Sequence, residues 1–257
     1  MSISNHEKIK KLHKMMYKRK SIRKFDKDLS ISEQELEKLK NEIINITPLI
    51  EDINVEFLIV DRKKTTASRG DYCLLMYSEE KPFYLENAGY MLEQMDLFFA
   101  ESNIGVCWYG VAKPETMIYK NLKYVIMLAF GKCQPEDFRV NQSDFKRKPI
   151  KNIWTGNLFL EVANDIRIAP SGCNLQPWRI MCEENNIKVF REFNMSSFPD
   201  KKRELYTEID FSLIDMGICL YYMDISLGYY GYTYIRELDL EHTPNEELVQ
   251  IATYHIK

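Results

Sequence analysis

Two short stretches hold the residue types that could do chemistry. The first runs Ala169-Pro170-Ser171-Gly172-Cys173-Asn174-Leu175-Gln176-Pro177-Trp178. Pro170 and Pro177 each remove a backbone donor and stiffen the chain, and Gly172 permits a positive φ and close approach to the backbone. Ser171, Asn174 and Gln176 supply hydroxyl and amide donors and acceptors. A rigid loop of this kind beside Trp178 suits a flat, hydrogen-bonding heterocycle; the same residue types also build an ordinary loop entering a strand. The second stretch is Lys18-Arg19-Lys20-Ser21-Ile22-Arg23-Lys24-Phe25. Arg19, Lys20, Ser21 and Arg23 make a compact anion site, with guanidinium forks and a hydroxyl suited to phosphate. The alternative for such a basic run is a solvated face.

Together the two stretches resemble the nitroreductase-like flavoprotein family. Its signature opens with an Arg-Arg-Ser-x-Arg-x-Phe-like segment, here Arg19 to Phe25, and continues with a Pro-Ser-x-x-Asn-x-Gln-Pro-Trp-like loop, here Pro170 to Trp178. The second match is the more specific. The resemblance implies bound FMN. Arg19, Lys20, Ser21 and Arg23 would then hold its phosphate and ribityl chain, and Pro170, Ser171, Asn174 and Gln176 would meet the isoalloxazine ring. Gly110 fits the family region that passes over the ring and offers it a backbone amide; the alternative there is a simple helix-to-strand connection. Lys146-Arg147-Lys148-Pro149-Ile150 resembles the basic segment that closes family chains, or a decayed copy of the first motif. Either way Arg147 is a further phosphate candidate, set against a solvated linker charge.

The spacing departs from the usual family pattern. Roughly 145 residues separate the two motifs, more than any simple loop. Ordinary members carry both close together in a half-size chain and dimerise to share two flavin sites. The chain therefore resembles the single-chain, double-half TM nitroreductase subgroup. The fold implied is α+β and nitroreductase-like, two diverged α/β halves forming an intrachain pseudo-dimer around long core helices. The halves are placed at 1–150 and 151–257. The first lacks an Asn-x-Gln-Pro-Trp loop and the second lacks an intact Arg-x-Ser-x-Arg segment, so one FMN per chain is expected.

The bulk properties are compatible with this. A chain of 257 residues with 45% hydrophobic and 28% charged content reads as globular, with ample core. The net charge of -3 argues against nucleic-acid binding. Cys73, Cys107, Cys133, Cys173, Cys182 and Cys219 form no CxxC pair, and the four histidines show no metal-ligand spacing. Reduced thiols in a cytoplasmic protein, and no metal, are expected. No signal-peptide core and no bilayer-length apolar run is evident.

The elements that must position the two stretches follow from periodicity. Residues 4–18 read as a basic amphipathic helix that packs on the body of the protein or touches a membrane. Ser32 with Glu35 predicts a capping box opening a second helix. Strands are expected at 55–60, 71–77 and 124–131. Residues 84–103 form the clearest helix of the first half, with Gly105 in the left-handed position after it. In the second half, 158–165 is a short helix, 179–182 and 187–192 make a hairpin, 206–227 is a long apolar helix, and 229–235 and 248–256 are strands. The shared order of strand, long apolar helix and strand suggests duplication. Tyr229, Tyr230, Tyr232 and Tyr234, with Trp108 and Tyr109, line a substrate side or pack on a sheet.

The chemistry implied is hydride transfer from NADH or NADPH to an electron-poor small molecule, a nitroaromatic or quinone, in a ping-pong cycle. The flavin carries it and no catalytic side chain is required. Without a GxGxxG loop, the nicotinamide would bind transiently over the flavin. The alternative is a flavin carrier or redox sensor without turnover. A monomer or a weak homodimer is expected, with no nucleic-acid or membrane partner.

Overall fold

The computed structural model describes residues 3–192, 210–240 and 248–257. The chain divides into two units. Tyr17–Asp144 forms one, here the N-unit; the described residues of Met1–Met16 and Phe145–Lys257 form the other, here the C-unit. The division falls at Asp144. Helix α1, Ile3–Lys18, groups through Met16 with the C-unit because that is where its inner face is satisfied. Ile9 fits the space a Cβ on Gly228 would fill. His13 Nε2 lies 2.8 Å from Asp165 Oδ2, and its ring stacks on Tyr229 at 3.6 Å between centroids.

In the N-unit, α2 (Glu33–Ile43) opens with the expected capping box. The Glu35 N–H donates to Ser32 Oγ at 3.2 Å, and the Ser32 N–H donates back to Glu35 Oε2 at 3.0 Å. The hairpin β1 (Val55–Asp61) and β2 (Tyr72–Ser78) leads to α3 (Tyr84–Glu101), then β3 (Ile104–Tyr109), β4 (Ile118–Tyr119) and β5 (Leu122–Lys132). The sheet runs β1-β2-β5-β3, with β4 also on β5, and every pairing is antiparallel. Leu92, Met95 and Phe99 put the apolar face of α3 fully into the core. The left-handed residue after α3 is Asn103, with φ 55°, not Gly105. Asparagine tolerates that conformation, which leaves Gly105 free to enter β3. There its bare backbone matters: a Cβ would lie 3.0 Å from Ile22 Cγ2 and 3.1 Å from Cys133 Sγ.

The C-unit carries β6 (Trp154–Thr155), α4 (Leu160–Arg167), β7 (Trp178–Glu183), β8 (Asn186–Glu192), α5 (Phe211–Tyr229), β9 (Tyr234–Leu238) and β10 (Leu248–Ile256). Its sheet runs β6-β7-β8-β10-β9; β6 is parallel to β7 and the rest is antiparallel. Apart from β4 and β6, the two sheets share one topology. A hairpin enters a long helix, and the next long strand pair is laid down in the order first-second-fourth-third. The expected strand 229–235 is corrected: α5 continues to Tyr229 and β9 starts at Tyr234. The alternating tyrosines have a strand-like period, but Tyr229 closes the helix against His13, while Tyr232 sits edge-on to Phe159 and Tyr234 against Tyr254. The first residues of the expected 206–227 helix, 206–209, lie outside the described residues. By length and mean hydropathy, 1.2, α5 passes as a membrane span, yet 89% of that window is buried within the fold, as in a core helix.

Candidate functional site

The basic segment of the N-unit runs along the outer edge of β3. Ser21 bridges to Val106 in parallel fashion, the Ile22 N–H donates to Val106 O at 2.8 Å, and the Asp26 N–H donates to Lys132 O at 2.8 Å. Arg139 holds the other side: its N–H donates to Lys18 O at 3.0 Å and its guanidinium donates to Arg19 O.

Within this frame the four expected anion ligands separate. The Arg19 side chain is only 1% exposed and pairs with fully buried Asp96 of α3, Nη2 to Oδ2 at 2.8 Å. The same carboxylate oxygen accepts from Trp108 Nε1 at 2.7 Å. Arg19 therefore turns its charge inward. Lys20 and Arg23 are exposed and Ser21 is half-buried, so the outward charge of the motif is theirs. Gly110 follows the end of β3 and is half-buried; the preceding Tyr109 hydroxyl lies 3.0 Å from Ser68 Oγ. On β3 itself, burial pushes the Cys107 thiol up, and the Arg23 and Arg69 charges oppose that push.

In the C-unit the second motif is a strained loop between α4 and β7. Cys173, Asn174 and Gln176 all have positive φ, at 50°, 61° and 50°. Such non-glycine residues persist only where the surroundings fix them. Here the fixing bonds are explicit. The Gln176 N–H donates to Ser171 Oγ at 2.9 Å. The Gln176 amide donates to Asn174 O at 3.0 Å and accepts from the Lys148 N–H at 2.8 Å. Arg147 Nη1 donates to Asn174 Oδ1 at 2.7 Å, its Nη2 donates to Ile168 O at 3.2 Å, and Asn174 Nδ2 donates to Lys146 O at 2.8 Å. The structure thus brings Arg147, Ser171, Asn174 and Gln176 together, with Pro170 buried beside them. From below, the Gly172 N–H donates to both oxygens of Asp215, at 2.9 and 3.1 Å. Asp215 lies on α5 and is 4% exposed. Burial holds its carboxyl well above the usual carboxylate range, against the opposing effect of the Gly172 N–H. Burial, and then the Arg179 charge, lowers Lys148.

The donor set fits a phosphorylated, hydrogen-bonding ligand unevenly. Lys20, Ser21 and Arg23 suit a phosphate. The loop amides are already engaged, with the loop itself and with residues 146–148, whereas the Ser171 O–H remains a donor. Among the described residues no cluster of three or more His, Cys, Asp or Glu could hold a metal ion. Sequence reasoning missed Asp96, Asp215 and Arg69. The first two carried a signal: a lone carboxylate within the apolar runs Met95-Asp96-Leu97 and Ile214-Asp215-Met216 requires an inward partner. Arg69 carried none, since it sits in a polar turn.

The chain belongs to the family described as "Putative TM nitroreductase", whose model matches residues 11–227 and so spans both motifs. Among solved structures it is similar to a protein of Thermotoga maritima MSB8 described as a putative nitroreductase, at 17% identity and TM-score 0.61, covering 95% of this chain and 92% of that one. This likeness establishes the nitroreductase-like α+β fold. Slighter likenesses include an FMN-dependent nitroreductase of Clostridium difficile R20291, at 18% identity and TM-score 0.46, covering 56% of this chain and 98% of that one. They also include a putative NADH oxidase of Clostridium acetobutylicum, at 15% identity and TM-score 0.41, covering 54% and 96%. A search of curated proteins finds no match.

Proposed function

We propose that the chain is an FMN-dependent oxidoreductase that takes reducing equivalents from NADH or NADPH and delivers them to an electron-poor small molecule such as a nitroaromatic or quinone. The observation that carries the reading is membership of a family named for an oxidoreductase activity, across a match that contains both motifs. When bound, FMN supplies two-electron chemistry that no side chain here provides. Lys20, Ser21 and Arg23 are assigned to its phosphate. Arg19 is assigned to holding that segment in place through Asp96. Ser171 and Pro170 are assigned to the ring, Asn174 and Gln176 to shaping the loop that meets it, and Gly110 to a backbone contact with it. Arg147 acts through Asn174, whose side chain it orients. Neither an acid nor a base is required of the protein.

Two measurements test this. The purified chain should release FMN on denaturation, and it should oxidise NADH or NADPH steadily when a quinone or nitroaromatic is added. Flavin without turnover would favour a carrier or redox sensor. Arg23→Ala should weaken FMN binding by about 1–3 kcal/mol through loss of a charge-assisted contact; an unchanged affinity refutes the assignment of Arg23.

A further inference from the structure

We propose that Arg69, together with Arg23, forms a recognition site for a phosphate monoester on the N-unit. The inference rests on the FMN reading for its first source of ligand, and it adds a residue that neither motif contains.

The β1–β2 connection that carries Arg69 is anchored on both sides of it. Ala67 is buried in the cluster that includes Cys73 and Ala129, against which Tyr109 packs. Cys73, Ala129 and Cys107 are paired across three adjacent strands, and alternation puts Cys107 and Tyr109 on one face. Ser68 Oγ lies 3.0 Å from the Tyr109 hydroxyl. On the other side, Gly70 takes φ +85° against Phe130, where a Cβ would lie 2.9 Å from the carbonyl oxygen. The Asp71 N–H then donates to Phe130 O at 2.9 Å. Arg69 is thus carried between two fixed neighbours, of which Ser68 meets the face that Tyr109 shares with Cys107. Arg23 arrives at the same strand from its outer edge, directly after Ile22 donates to Val106 O. Both guanidinium groups lie within electrostatic reach of the Cys107 thiol.

The two are also distinguished by what they lack. Arg19 is committed to Asp96, Arg62 to Ala67 O and Arg139 to Arg19 O. Arg23 and Arg69 are exposed, and among the described residues neither has a carboxylate or hydrogen-bond partner. An anion bound by both guanidinium groups offsets their mutual repulsion. A phosphate monoester brings nearly two negative charges at neutral pH, and its oxygens match guanidinium forks bidentately. Two sources offer that group: the 5′-phosphate of FMN and the 2′-phosphate of NADPH.

The test uses the full chain with Arg69→Ala and Arg69→Lys. Affinities for FMN and for riboflavin, which lacks the phosphate, are read from flavin fluorescence; KM is read for NADPH and NADH; and the unfolding temperature is read with and without inorganic phosphate. Arg69→Ala is expected to weaken FMN by roughly tenfold to a hundredfold while leaving riboflavin unchanged, with partial recovery in Arg69→Lys. An unchanged FMN affinity with a raised KM for NADPH but not NADH upholds the site with the second source. Equal weakening of both flavins reveals a merely structural residue and overturns the proposal, as does an unchanged response to FMN and NADPH alike. Should the wild type bind no flavin, the FMN reading fails on its own. The phosphate site then stands if inorganic phosphate raises the unfolding temperature of the wild type but not of Arg69→Ala, and falls if it raises neither.

Discussion

Asp215 is a carboxyl buried in the C-unit, where both its oxygens accept from the Gly172 N–H. Because burial raises its pKa in the fold, the folded chain keeps a proton that the unfolded chain releases at about pH 4. Its contribution therefore destabilises progressively as the pH rises above that value. Asp215→Asn retains an acceptor for Gly172 and cannot ionise. The variant should melt above the wild type by a margin that widens as the pH rises above about 4, read by thermal unfolding; a margin independent of pH would contradict the assignment. Asp215→Leu should instead lose the acceptor under a strained loop and melt below the wild type at low pH. Arg19 and Asp96 pose the complementary case of a buried pair of opposite charges. Asp96→Asn should cost about 3–5 kcal/mol by leaving the guanidinium buried against a neutral side chain. Replacing both together, Arg19→Met with Asp96→Leu, should recover much of that loss in denaturant unfolding. If the double variant is as unstable as the single one, the pair is not the source of the cost.

At the scale of elements, the close fit of Gly105 sets how the basic segment lies on β3. Gly105→Ala should cost about 1–3 kcal/mol by overpacking and should speed amide exchange at Ile22, whose N–H reaches Val106 O at 2.8 Å. Full stability with unchanged exchange would mean that Ile22 and Cys133 can yield. This is also the scale at which the sequence was most legible. Long apolar periodicity located α3 and α5, the Ser32–Glu35 pair located the start of α2, a β-branched run located β1, and correspondence with the first half located β10. What escaped was decided by non-local packing. Asn103 and Gly105 are both able to end a helix, and it is the pairing of Gly105 with Gly131 of β5 that places it in β3. The tyrosines after Leu227 have the period of a strand, yet Tyr229 stays in the last turn of α5, where it stacks on His13. The site was legible as two motifs, because turn residues and basic residues advertise themselves locally. It was not legible that Arg19 faces Asp96 or that Gly172 rests on Asp215, since those partners lie on helices distant in sequence.

At the scale of the whole chain, the two units repeat one sheet topology but do not carry the same residues. The basic segment belongs to the N-unit and the Pro-Ser-x-x-Asn-x-Gln-Pro-Trp loop to the C-unit. Each unit holds one motif without its counterpart, so a single flavin is expected for each chain. The most direct measurement is the visible absorbance spectrum of the purified chain, with identification and quantitation of flavin released on denaturation. FMN is expected, at about one per chain, with Arg23→Ala lowering its retention. Two per chain would contradict the single-site claim, and the absence of flavin even after incubation with FMN would contradict the proposed function itself.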